Sequence, residues 1–503
     1  FTPPICEVVS FVSPMSAKNG DRANLEGNTG NVGAPSLEDQ INAVGFGRFQ
    51  WIMLGIFGLL VVADGMELVV ISILYMALRD EWGLSQIEEG YLAGVIFVGV
   101  LIGNLIGGYL GDTWGRRNTV LFSGVFFIIA AAASAFAPDI ITLAIFRMLV
   151  GFAIGCKLPV AMSIAMELCP THYRGKLGMV VVGIAFSIGE VFVCLVGMVI
   201  LQVDHSHNWW RWLLLGCALP DIFGVPLAWV YMPESPHFLL SRGRHEELSD
   251  QIRQVAKLNG QEDAMLQDGR VRQLVEETDV DKWQWTAIFS PQLSGITTFC
   301  SVVWCVCAIC YHGHVFVYPL VLEQRFHMDV GDELWAVALA GAAEIPGVLI
   351  GMWLIDLEGV GRRATAIAFF SLACVTALCV PLFTSPTAFF VANMLLKTLI
   401  NAPFCILYVM ASELYPTTHR ASGIAFCSST SRVAGSVTPI MLAWCVAQSV
   451  TLTYQVLAAI LGVGVLATLL YGHETLNHNL KTFAFEAVED EDEERTPLKS
   501  STR

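Results

Sequence analysis

VVADGMELVV at 61–70 places Asp64 and Glu67 three residues apart inside an apolar run from Trp51 to Leu78. A carboxylate at the middle of a bilayer costs about 2.5–3.5 kcal/mol on the insertion scale. Helix positions i and i+3 share a face, so the two acids can turn together into a polar cavity and away from lipid. Two carboxylates in a poorly solvated site raise one another's proton affinity. Such a pair can take up a proton on one side of a membrane and release it on the other, or bind the charge of a solute. The alternative is an ion pair with a basic residue of a neighbouring span.

Other ionisable residues also interrupt apolar runs: Arg147, Lys157, Glu190, Asp221, Glu344, Lys397 and Arg432. Lys157 lies in GCKLPVAM, Lys397 in LLKTLINAP and Arg432 in SSTSRVAGS. Beside a cavity these cations suit an anionic solute such as a carboxylate. Away from one they neutralise Glu190, Glu344 or Asp64. The proton-coupling and substrate set is therefore Asp64, Glu67, Lys157, Glu190, Glu344, Lys397 and Arg432. CVCAICYHGH at 305–314 groups three cysteines and two histidines, but a helix spreads them around its circumference. No metal site and no cofactor are expected.

The elements that must position these residues are membrane spans. The chain of 503 residues is 55% hydrophobic and 14% charged, against roughly 25% charged in soluble domains. The apolar residues fall in twelve windows near 51–78, 87–110, 118–137, 140–166, 177–202, 210–232, 292–321, 334–355, 364–383, 387–411, 422–447 and 450–472, each long enough to cross a bilayer. The net charge of −16 is concentrated outside them, as in EAVEDEDEE at 486–494. That balance gives no support for a nucleic-acid partner. The fourteen cysteines sit mostly inside apolar runs, which argues against a disulfide framework. FTPPICEVVS shows no charged segment followed by a long apolar one, so no cleavable signal peptide is expected there.

Arg116, Arg117, Arg174, Lys176, Arg242, Arg244, Arg362, Arg363 and Arg420 fall in alternate short loops. The positive-inside rule makes those loops cytoplasmic and, with an even number of spans, both termini too. The expected divisions are a disordered tail at 1–47, a six-helix bundle at 48–232, a polar linker with short helices at 233–288, a second bundle at 289–473 and an acidic tail at 474–503. The bundles read as copies. GRR at 115–117 returns at 361–363, and ELCPTHYR at 167–174 returns as ELYPTTHR at 413–420, both 246 residues later. Parallel six-span repeats are a transporter architecture. AEIPGVLIG at 343–351 and NAPF at 401–404 are expected break points in spans eight and ten.

GDTWGRR at 111–117 resembles the loop between spans two and three of major facilitator transporters. RMLVG at 147–151 resembles their fourth-span motif, and PESPHFLLSRGR at 233–244 the motif after span six of sugar-porter-like members. ETLN at 474–477 is similar to a reduced form of the motif after span twelve. The resemblance implies an all-α membrane protein of twelve helices in two six-helix pseudo-repeats. It also implies a cytoplasmic gate network between the halves, built from Asp112, Arg116, Arg117, Arg147, Glu167, Arg174, Glu234, Arg362, Arg363, Glu413, Arg420 and Glu474. ADGMEL, IFSPQL and the two ELxPT units most resemble synaptic-vesicle-protein-related and organic-ion porters, and bacterial niacin and aromatic-acid symporters have a similar acidic first span. The doubled Gln of hexose porters is missing from QLSGIT at 292–297.

The expected function is secondary active transport by alternating access. It would be proton-coupled and move a small organic ion, a carboxylate ahead of a cation. The alternatives are a sugar transporter of the same fold and a non-transporting receptor or vesicle protein. No P-loop, HExxH or nucleophile elbow occurs, so an enzyme is not expected. A monomer in the plasma membrane or an endosomal or vesicle membrane is expected.

Overall fold

The computed structural model describes residues 37–170, 173, 180–203, 208–261, 285–357, 359–416, 419–471 and 474. Long helices dominate. The first half contains span one (Arg48–Trp82), span two (Gln86–Thr113), span three (Arg116–Ser134), span four (Ile140–Glu167), span five (a π-helical entry, Val180–Ala185, then Phe186–Val203) and span six (Trp209–Cys217 continued by Leu219–Tyr231). The second half contains span seven (Pro291–Phe326), span eight (Val330–Ile355), span nine (Gly361–Cys379), span ten (Pro386–Leu414), span eleven (Arg420–Gln448) and span twelve (Val450–Tyr471). Eleven of these are long and apolar enough to cross a membrane. Span eleven has comparable length, at 29 residues, but is richer in Ser, Thr and Arg.

Short polar loops stop and restart the helices by recognisable means. Gly83 ends span one in a left-handed conformation, φ 66°, which glycine adopts without steric cost. Ser85 then caps span two: Glu88 N donates to its Oγ, and its own N–H donates to Glu88 Oε2 at 2.8 Å, a reciprocal capping box. The Asp139 carboxylate caps span four through Ile141 N and Thr142 N, both at 2.9 Å. Spans eight and ten run unbroken through Pro346 and Pro403, so the expected break points are continuous helix. Beside Pro346, the Thr398 hydroxyl donates to Ala343 O at 2.6 Å, the kind of neighbouring contact that lets a buried helix tolerate proline.

Spans two and four approach most closely inside the first half. A Cβ on Gly99 or Gly103 would strike the carbonyls of Met148 and Phe152, and one on Gly151 or Gly155 those of Ile96 and Val100. Small residues at four-residue spacing on both helices make that approach possible. The halves meet where span two packs on span eleven, span five on span eight, and span one on span seven. Tightness persists there: a Cβ on Gly94 would meet Ser436 O.

The polar connections contribute order of their own. Helix His245–Asn259 packs Leu248, Ile252 and Val255 against Leu37, Ile41 and Val44 of helix Leu37–Val44. Asn259 Oδ1 accepts from Phe49 N at 3.1 Å, and its Nδ2 donates to Gln50 Oε1 at 2.9 Å. Residues 37–44, expected to belong to a disordered tail over 1–47, form a helix, because an apolar stripe there finds a partner more than 200 residues away in the linker; the rest of that stretch, 1–36, lies outside the described residues.

Candidate functional site

Lys157 of span four reaches across the first bundle. Its Nζ lies 2.8 Å from Asp64 Oδ1 and 2.7 Å from Asp221 Oδ2, and donates to Leu60 O at 3.1 Å. It also stands 4.3 Å from the centre of the Phe127 ring. One ammonium thus ties spans one, four and six, with span three supplying an aromatic face. Asp64 is 2% exposed and Lys157 and Asp221 fully buried. Two carboxylates share one cation, so the cluster has one acid more than it has bases.

Glu67 has another destination. It pairs with Arg147 Nη1 of span four, and both side chains are fully buried. Glu67 is absent from the central cavity wall that Asp64 joins. The two acids therefore do not share a pocket as expected. Three helical steps leave them about 60° apart, and each is held by a different cation of span four.

A second lysine-centred cluster forms at the seam of the halves. Lys397 of span ten bonds Glu190 of span five and lies 3.2 Å from Glu344 Oε1 of span eight. The Tyr311 hydroxyl of span seven lies 2.9 Å from Glu190 Oε1 and 3.2 Å from Glu344 Oε2. Glu344 Oε2 also accepts from Ser187 Oγ at 2.6 Å and Asn401 Nδ2 at 2.7 Å. Here too two carboxylates share one lysine. Separating such a buried pair strands a charge and costs about 3–5 kcal/mol.

Between the clusters lies a cavity of about 60 Å³, lined by Val61, Asp64, Leu68, Ile96, Phe97, Val100, Ile154, Leu158, Phe186, Tyr311, His312, Asn401, Phe404, Tyr408 and Arg432. An apolar lining with few polar groups is the usual chemistry of small-molecule sites. Both halves contribute. Arg432 of span eleven stands in the wall with its Nε lacking a hydrogen-bond partner. His312 packs against Phe97 of the opposite half at 4.6 Å between ring centres. Tyr311 stacks on Phe404 at 6.0 Å, and Phe404 meets Tyr408 edge-on at 5.8 Å.

At the membrane face carrying the GRR loops, the halves repeat one construction. Arg116 pairs with Glu167, and Arg362 with Glu413 at 3.1 Å. Glu234 Oε1 accepts from Arg116 N and Arg117 N at 2.9 and 3.0 Å. Glu474 accepts from Arg362 N and Arg363 N at 2.9 and 3.1 Å. Each acid thus caps the start of a third helix. Arg117 donates to Trp229 O and Met232 O, and Arg363 to Thr468 O and Leu469 O, closing the last turn of the sixth helix of its half. The Asp112 and Thr113 carbonyls accept from Arg242 at 3.0 and 2.9 Å. These pairs join residues of the same half, not the two halves. Arg174 and the Arg420 side chain lie outside the described residues.

The opposite face carries cross-half contacts that the sequence reading missed. Arg79 of span one is 3.0 Å from Glu323 of span seven and 3.1 Å from Glu89 of span two. Tyr75 donates to Glu333 of span eight at 3.2 Å. Asp221 as a partner of Lys157, and the neutral donors Tyr311, Ser187 and Asn401 around Glu344, were also missed. Their only sequence signal is a polar residue in an apolar run, and partners 33 to 157 positions apart cannot be matched from that.

Residues 44–485 match the family model described as sugar (and other) transporter. The chain belongs to this family. Among its relatives is the synaptic vesicle 2-related protein of Xenopus laevis, 29% identical over 469 residues, covering 88% of this chain and 82% of that one. The niacin transporter NiaP of Acinetobacter baylyi is 26% identical, covering 81% and 89%. The organic cation/carnitine transporter 7 of Arabidopsis thaliana is 28% identical, covering 81% and 87%. The solved structure of the major facilitator proton:xylose symporter XylE superimposes with a TM-score of 0.71 at 18% identity, over 88% of this chain and 99% of that one. This family member therefore has the major facilitator fold, an all-helical, multi-span membrane architecture.

Proposed function

We propose that the protein is a proton-coupled secondary transporter moving a small organic ion, a carboxylate ahead of a cation, by alternating access. The observation that carries this reading is the central cavity between two buried lysine-centred clusters, with Asp64 in one wall and Arg432 in the other. A lysine shared by two carboxylates leaves one acid to be neutralised by a proton or a solute charge. Asp64 is the exchangeable acid, because it faces the cavity. Lys157 holds it from behind, and the pair Glu67–Arg147 fixes span one against span four. Glu190, Lys397 and Glu344 sit at the seam, where a change in charge alters how the halves grip each other. Arg432 receives the carboxylate. The gate set Asp112, Arg116, Arg117, Glu167, Arg174, Glu234, Arg362, Arg363, Glu413, Arg420 and Glu474 stabilises the cytoplasmic ends, while Arg79–Glu323 and Tyr75–Glu333 hold the halves together on the outer side.

The relatives named for niacin and for organic cation and carnitine transport favour an ionic substrate. A sugar is less suited to this cavity, since nine of its fifteen lining residues are apolar and each sugar hydroxyl that enters needs a partner. The basic loops place the termini in the cytoplasm, and the protein acts as a monomer in the plasma membrane or an endosomal or vesicle membrane. The test is uptake of labelled organic acids into proteoliposomes under an imposed inward proton gradient. Gradient-dependent accumulation that Asp64→Asn abolishes supports the reading. Binding without accumulation supports a receptor and overturns it.

A further inference from the structure

The cavity carries opposite charges on opposite halves. Asp64 is 2% exposed and its Oδ2 accepts no hydrogen bond. The lysine that contacts its other oxygen is shared with Asp221, which stands outside the cavity wall. One negative charge is thus left over on the first-half side. Across the cavity Arg432 presents a guanidinium whose Nε has no partner, and no carboxylate pairs with it among the described residues. The Oδ2 of the buried Asp64 carboxylate and the buried Nε of half-buried Arg432 each lack a hydrogen-bond partner, and a ligand of matching charge relieves that desolvation cost. The rings of Phe97, Tyr311, Phe404 and Tyr408 line the same cavity.

We propose that the substrate is a zwitterion with a planar or compact apolar body, its cationic group on Asp64 and its carboxylate on Arg432. The inference rests on the transport reading and narrows its substrate class. A simple carboxylate satisfies Arg432 and leaves the Asp64 oxygen unpaired. A simple cation does the reverse. A zwitterion satisfies both and joins span one to span eleven, so its binding bears directly on how the halves are held together. The aromatic walls favour an onium centre through cation–π attraction and exclude water from both ion pairs, which strengthens them.

Three probes of nearly equal shape separate the possibilities: 1-methylpyridinium-3-carboxylate (zwitterion), 3-methylbenzoate (anion) and 1,3-dimethylpyridinium (cation). The full-length chain is tested for ligand-induced thermal shift in detergent and for uptake into proteoliposomes with the proton gradient inward, outward and absent, since a cationic group and the coupling proton compete for Asp64. The zwitterion is expected to be taken up, and to bind about tenfold tighter than either singly charged probe, the worth of one further charge-assisted contact. Asp64→Asn is expected to bring the anion level with the zwitterion. Arg432→Gln brings the cation level, and Arg432→Lys keeps the wild-type order. If Asp64→Asn does not fold, the wild-type order and the Arg432 variants still decide. Preference for the anion in the wild type, unchanged by Asp64→Asn, overturns the zwitterion and leaves the transport reading standing. A zwitterion that binds without accumulating overturns transport and leaves the site assignment standing. No binding or uptake of any probe overturns the proposed site.

Discussion

The halves are near copies at the GRR loops and unlike at the midplane. At the loops, Arg116–Glu167 and Arg362–Glu413 occupy matching places, and Glu234 and Glu474 each cap the third helix of their own half. At the midplane, the first half encloses Lys157 among its own acids, whereas Lys397 of the second half reaches over the seam to Glu190. Repetition marks what each bundle needs in order to hold its helix ends. Divergence marks what the pair of bundles does together. A charge cluster closed within one half keeps its geometry when the halves rock, and one that spans the seam does not.

The sharpest break in this comparison is Lys157→Met. It strands Asp64 and Asp221 in a buried site and is expected to lower stability by about 3–5 kcal/mol, read as a large drop in the thermal unfolding midpoint in detergent. A change below about 1 kcal/mol would mean that water reaches the cluster and that it is not closed. Next, Asp64→Asn and Glu67→Gln should part company in proteoliposome uptake. The first is expected to remove dependence on the proton gradient. The second keeps that dependence and instead lowers the unfolding midpoint, since Arg147 is left without its partner. Equal loss of gradient drive in both variants would rejoin the two acids as one proton site.

A smaller effect is expected at the seam. Glu190→Gln keeps the shape and leaves Lys397 to Glu344, so stability falls little while uptake falls about tenfold, corresponding to about 1.4 kcal/mol in the rate-limiting exchange. Uptake at the wild-type rate would make the seam cluster a static strut. The smallest effects test the repeat itself. Glu234→Ala and Glu474→Ala each remove a carboxylate cap and are expected to cost about 1 kcal/mol, equal in the two halves within the precision of a denaturation curve. Unequal losses would show that the loop constructions differ in strength despite matching in form.

The fold was legible to the extent that hydrophobic length is. The span windows, the polar linker and the duplication at an offset of 246 all followed from periodic apolar runs and repeated loop signatures. The charged residues of the candidate site were legible as types, because an ionisable group in an apolar run is conspicuous. Their partners were not. Asp64 and Glu67 looked like a pair because they are neighbours in sequence, yet Lys157 and Arg147 hold them apart. Residues 37–44 looked like tail because their apolar stripe is short, and only the linker helix reveals what it packs against.

What the residues by themselves determined is that this chain crosses a bilayer many times, in two related halves, and carries ionisable groups where lipid would reject them. Local physics is enough for that, since transfer from water to hydrocarbon is a property of each segment alone. Which acid meets which base, which of them faces the cavity and which crosses the seam were decided only by tertiary structure. The physical reason is that a buried charge is stabilised by the few groups within about 4 Å, and helix packing, not chain order, sets which groups those are.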